Sequence, residues 1–204
     1  FRTNTLAHGY STLAYVLRAK GDLIQARNAV DEAITQIDTH QTYPRTVKGV
    51  KVCQVYQWLA EGDLTAAQNW ACDVFSTTHQ PLSFSNELEH IALARVLLAS
   101  RRFEEGLNLL ERLAQAAGAG GRGGRLVLIF SLQALALQAS GKAGEALQVL
   151  EKSLEIALPN GYFRIFLNAG QPMIELLKQL REFDLPPQQK AYVNRLLETA
   201  LAPA

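Results

Sequence analysis

Charge of one sign is what this chain has least of. Twenty lysines and arginines stand against nineteen aspartates and glutamates, a formal net charge of +1, with no long run of either sign. That leaves no electrostatic basis for gripping a phosphate backbone or an anionic membrane, so direct contact with nucleic acid or membrane is not expected. Cysteine is scarce: Cys53 and Cys72 lie nineteen positions apart, each in a predicted helix, with no third or fourth metal ligand beside them. They suit two reduced core thiols better than a disulfide or a zinc site. Long apolar runs are missing too. The most apolar stretch, residues 126–139, is too short to cross a bilayer and carries Ser131, Gln133 and Gln138. No signal peptide is visible, and the expected location is the cytoplasm. The chain opens on Phe1 with no methionine, as a fragment of a longer polypeptide would.

What remains is enough apolar material to fold, since 48% hydrophobic and 19% charged residues is a globular balance rather than a disordered one. Its distribution is periodic. Turn pairs recur at Gly21-Asp22, Gly62-Asp63, Arg101-Arg102 and Gly141-Lys142, at intervals of 41, 39 and 40 residues. A fixed period in this range marks a helical solenoid. Around Gly141, Phe130, Ala134 and Leu137 share one helical face ahead of the turn. Behind it Ala146, Leu147, Leu150, Leu154 and Ala157 share another. Aligned on the turns, Ala14, Val55, Ala94 and Ala134 stand seven residues before, and Ala26, Ala67, Gly106 and Ala146 five after. Small residues there let paired helices approach closely. Leu17, Trp58, Leu97 and Leu137 fill one larger position, and Val30, Ala71, Leu110 and Leu150 another; Trp58 and Trp70 are expected in the core. Asp22 and Asp63 are suited to cap the helices that follow them, whereas Arg102 and Lys142 are not. Helices are predicted near 5–20, 22–39, 46–61, 63–78, 86–100, 102–117, 125–140 and 142–158.

The last fifty residues break the repeat. Pro159-Asn160-Gly161 closes a helix, Tyr162 to Leu167 forms a short one, and Gly170-Gln171-Pro172 opens another through Leu180. Pro186-Pro187 starts a final helix with Val193, Leu196, Leu197 and Leu201 as its apolar stripe. Such an atypical end suits the capping of a solenoid. The expected organisation is one all-α domain over 1–204. Its repeats lie near 5–40, 45–79, 86–118 and 125–158, and its C-terminal cap at 162–203.

A small residue midway along the first helix, paired with an alanine early in the second, resembles the tetratricopeptide class. The hairpins here are longer than its usual period of about 34 residues. That resemblance implies a right-handed superhelix with the first helices lining its concave side. More specifically, LARVLLAS (93–100), LQALALQASG (132–141), GYFRIFL (161–167), GQPM (170–173) and YVNRLL (192–197) resemble the sensor region of LuxR-type transcriptional regulators with MalT-like architecture. The resemblance implies an ATP-binding STAND module before this region and a LuxR-type DNA-binding domain after it, neither within these residues. Asn168 and Ala169 depart from the acidic pair common at that place, so no role of those acids carries over.

Other motifs have plainer readings. Gly118-Ala119-Gly120-Gly121-Arg122-Gly123 matches G-x-G-x-x-G in form, but a helix precedes it and no Lys-Ser/Thr follows, so it reads as a mobile inter-repeat loop. His8, His40, His79 and His90 form no helix-face metal pair; His40 and His79 fall near the ends of second helices, where a cation favours the dipole. No serine, histidine and carboxylate arrangement suggests catalysis, so neither an enzyme nor a bound cofactor or metal is expected. On the inner side of the first helices, helical geometry groups His8, Ser11, Tyr15 and Arg18, then Val52, Tyr56 and Leu59, then Ile91 and Arg95, then Ser131, Leu135 and Gln138. Tyr15, Arg18, Tyr56 and Arg95 are the candidate ligand-binding residues of a groove, if the tyrosines do more than pack between hairpins. The function expected is signal sensing, through an inducer or a partner protein. The alternative is a protein–protein scaffold that binds a peptide or partner domain and no metabolite.

Overall fold

The computed structural model describes residues 2–77 and 82–201. Among these residues the structure is all helix and turn, in eleven helices. They are α1 (Arg2–Ala19), α2 (Leu23–Thr39), α3 (Pro44–Glu61), α4 (Leu64–Thr77), α5 (Glu87–Ala99), α6 (Phe103–Ala119), α7 (Gly123–Ala139), α8 (Ala143–Asn160), α9 (Arg164–Leu167), α10 (Gln171–Arg181) and α11 (Pro187–Leu201). The chain forms two compact units, residues 1–102 and 103–204.

Six of the helices end for a common reason. At Gly21, Gly62, Gly121, Gly141 and Gly161 the backbone enters the left-handed region, with φ between 63° and 83°. The next amide then reaches back five residues, as Asp22 N–H does to the Leu17 carbonyl at 3.0 Å and Lys142 N–H to Leu137 at 2.9 Å. This pair of features is the Schellman turn, which satisfies carbonyls the helix leaves open. Arg101 adopts the same conformation at φ 59° without being glycine. Asp22 accepts from the Gln25 amide at 3.1 Å and Asp63 from the Ala66 amide at 3.0 Å, so both aspartates cap as their position implied. Lys142 makes no side-chain cap. The Gly118–Gly123 segment is not a mobile loop: α6 runs through Ala119, α7 begins at Gly123, and the turn is one more of this set. Arg122 further donates to the Ala116 carbonyl at 2.9 Å. Glycine here fits the left-handed turn rather than a phosphate.

In the first unit α1 pairs with α2, and α3 packs on α1, α2, α4 and α5. Ala14, Ala26, Val55, Ala67 and Ala94 are fully buried at their close-approach positions. In the second unit α7 packs between α6 and α8, and Ala134 and Ala146 are fully buried there. Leu110 and Leu150 are buried as well. Two expectations fail. Trp58 and Trp70 are only half-buried. Cys72 is exposed while Cys53 is buried, and both are free thiols. One residue on from buried Ala71, Cys72 turns about 100° round α4 and leaves the core.

The C-terminal helices close over α7 and α8. Phe166, Met173, Leu176, Leu177, Leu180, Val193 and Leu196 join Leu150 and Leu154 in one core. Tyr192 donates to the Tyr162 carbonyl at 2.9 Å and meets the Phe163 ring edge-on at 4.8 Å. Burial pushes its phenol up to about 12. Leu201 departs from the expected stripe and is 69% exposed.

Candidate ligand-binding face

The face of interest lies wholly in the first unit and is built from α1, α3 and α5. Polar side chains cross from each of these helices to the next. Asn4 of α1 accepts from the Tyr43 amide at the start of α3 at 3.1 Å. His8 Nε2 lies 3.4 Å from Thr46 Oγ1. Cys53 Sγ donates to the Ser11 carbonyl at 3.6 Å. Arg18 Nη1 donates to the Cys53 carbonyl at 3.4 Å and to Gln57 Oε1 at 3.3 Å. From α3 to α5, Lys48 and Glu89 pair at 2.6 Å, and the Arg95 guanidinium lies over the Tyr56 ring, 5.1 Å from its centroid.

Of the four residues singled out from sequence, the structure brings Tyr56 and Arg95 into direct contact. Arg18 turns onto α3, bonded at positions 53 and 57. Tyr15, one repeat before Tyr56 in register, is 50% exposed on α1. Arg95 is itself half-buried, and its Nε is covered with no hydrogen-bond partner. Of the apolar members of the grouping, Val52 and Ile91 are buried and Leu59 and Leu135 half-buried. In the fourth hairpin Ser131 faces Ser153 of α8 at 3.3 Å, and both hydroxyls donate to the Val127 carbonyl. Gln138 reaches Gln179 of α10 at 3.5 Å, so the cap occupies that flank of α7.

Sequence reasoning passed over Gln57. It is buried, accepts from Arg18, and donates to the Leu23 carbonyl at 2.9 Å and to Glu61 at 2.7 Å. Glu61 is in turn gripped through both oxygens by Arg27, at 2.7 and 2.6 Å. That hydrogen bond and charge hold the Arg27 guanidinium above its usual value. A glutamine directly before a repeat-position residue, flanked by apolar neighbours, was the available signal. An open hollow beside this network is lined by Arg27, Val30, Asp31, Gln54, Trp58 and Glu61.

His90 and His40 serve local structure. His90 Nδ1 lies 2.8 Å from the Asn86 carbonyl, which only accepts, so Nδ1 carries the proton. His40 caps the end of α2 beside Thr39, and His79 lies outside the described residues. Among the described residues no three His, Cys, Asp or Glu side chains come together as a metal site. No helix among them is long and apolar enough to cross a membrane.

Compared with known proteins, residues 2–182 match the family described as the MalT-like TPR region, a stretch that takes in α1 to α10. Two curated relatives carry the name HTH-type transcriptional regulator MalT. One, from Klebsiella pneumoniae subsp. pneumoniae, is 28% identical over 184 residues, and the other, from Klebsiella pneumoniae strain 342, is 27% identical over the same length. Each alignment covers 88% of this chain and 20% of the relative, so the chain spans about a fifth of the length of these regulators.

Proposed function

The chain belongs to the MalT-like TPR region family, and from that premise we propose that it is the signal-receiving helical-repeat region of a LuxR-type, ATP-dependent bacterial transcriptional regulator. It works in the cytoplasm, performs no chemistry itself, and leaves ATP binding and DNA contact to other parts of the parent polypeptide. Its task is differential binding: an inducer that prefers one arrangement of the regulator shifts the population by the difference in its affinities for the two. The observation that carries this reading is the row of polar and aromatic side chains from α1 to α5, ending in the Arg95–Tyr56 pair. Such a row offers ring platforms and fixed donors, which is what a small ligand needs to be held and told apart.

Thermal-shift screening of small metabolites against the chain tests the proposal, with Tyr56→Ala and Arg95→Ala beside the parent sequence. The expected result is a stabilising compound whose effect is lost in both variants. A compound that stabilises all three proteins equally removes this face from the sensor. A second reading, a scaffold for a peptide or partner domain, is favoured by Leu6, Leu13 and Val16, all exposed on α1. Binding of a partner that is lost on Leu13→Ser and retained on Arg95→Ala would decide for it.

A further inference from the structure

We propose that the α3–α5 step of this face receives an anionic group, a carboxylate or a phosphate, on the guanidinium of Arg95 with the Tyr56 ring as its floor. The inference rests on the reading of this face as a ligand site and names the class of ligand. A guanidinium withdrawn from water ordinarily takes a carboxylate partner, because the lost hydration must be offset. Arg95 is half-buried, with the π face of Tyr56 5.1 Å away and its Nε covered and unbonded.

Two acids of the same helices are engaged elsewhere. Glu89 holds Lys48 at 2.6 Å, and Glu61 holds Arg27 through both oxygens. Arg18 approaches the same turn of α3 from α1, yet its oxygen acceptors are the neutral Cys53 carbonyl and Gln57 carboxamide. Among the described residues neither Arg18 nor Arg95 has an ion pair. Two guanidiniums thus bear on residues 53–57 without a carboxylate partner among the described residues. With Nε covered, the donors that Arg95 offers an incoming group are those of its two Nη atoms. That fork matches the paired oxygens of a carboxylate or a phosphate. A neutral ligand would leave the charge as it is, whereas an anion compensates it and gains charge-assisted hydrogen bonds.

Isothermal titration calorimetry of the whole chain with inorganic phosphate, succinate and the uncharged succinamide tests this. Parallel titrations use Arg95→Gln and Tyr56→Phe, and circular dichroism confirms that each variant is folded. At least one anion is expected to bind where succinamide does not, and the phosphate and succinate arms distinguish the two oxygen acids. Arg95→Gln should weaken the anion about tenfold or more, the size of a lost charge-assisted bond. Tyr56→Phe should retain binding, since the floor is the ring. Binding of succinamide as tight as succinate overturns the proposal, as does an Arg95→Gln titration equal to that of the parent chain or an absence of binding by both anions. If the metabolite screen instead yields a neutral compound that depends on Tyr56 and Arg95, the sensor reading stands and the anionic class falls.

Discussion

Five of the helix-ending turns place glycine in the left-handed region and one places Arg101 there. A Cβ added at Gly21, Gly62, Gly121, Gly141 or Gly161 would meet nothing within 4 Å. The requirement is therefore one of backbone conformation and not of space. Gly141→Ala should cost about 1–2 kcal/mol, the penalty of the left-handed form for an L-residue. Arg101→Gly should gain about 0.5–1 kcal/mol, the relief being partly offset by a freer unfolded chain. Urea titration followed by circular dichroism measures both, and equal effects of the same sign would refute the account. These turns were legible from sequence because glycine announces them. Arg101 was placed only by the repeat interval, and the exposure of Cys72 was not foreseen because thiol chemistry does not say which way a helix faces.

At the scale of elements, the eight repeat helices lay within three residues of their expected bounds, since turn residues and apolar spacing agree on where each begins and ends. The alignment also picked out residues that must be small. Ala134 is fully buried in the close contact of α7, so Ala134→Leu should overpack it and cost about 1–3 kcal/mol in chemical denaturation. Side-chain reach is what the pattern could not supply. Ser131 sits on the expected helix but turns toward α8, and Gln57 acquires its role through Arg18, Leu23 and Glu61. In the C-terminal cap the GYFRIFL segment makes a corner, with Tyr162 and Phe163 meeting Tyr192 of α11. The Tyr192 phenol is raised to about 12 by burial, against about 10 in an unfolded chain. The folded state therefore holds this proton more tightly. Stability is fully present below pH about 10 and is lost as pH rises through about 12, because only the unfolded chain ionises readily in that window. Tyr192→Phe should flatten this part of the stability–pH curve while costing about 0.5–1.5 kcal/mol near neutrality for the lost hydrogen bond. Urea midpoints at pH 8, 10 and about 12 for the two proteins decide it; parallel curves would show that another group is responsible.

For the molecule as a whole, a repeating pattern of hairpins was readable because each hairpin uses the same local rules. The surroundings of the candidate residues were not, since Arg18 and Tyr56 owe theirs to partners 35 to 39 positions away. The same locality has an energetic consequence. Each unit has its own buried core: Ala7, Ala14, Val30, Ala33 and Val50 in the first, and Leu150, Leu154, Phe166, Met173 and Leu177 in the second. Repeat proteins draw stability from within a repeat and from nearest neighbours, so damage need not spread through the array. Both tryptophans, Trp58 and Trp70, lie in the first unit, whereas helix content is distributed over both. Leu150→Ala removes a fully buried side chain from the second unit and should cost about 2–5 kcal/mol there. In guanidinium titration the circular dichroism transition of this variant should move to lower denaturant or split, while the tryptophan fluorescence transition keeps most of its midpoint. A fluorescence transition that follows the dichroism step for step would mean that the chain unfolds as one cooperative body and that the two cores do not act separately.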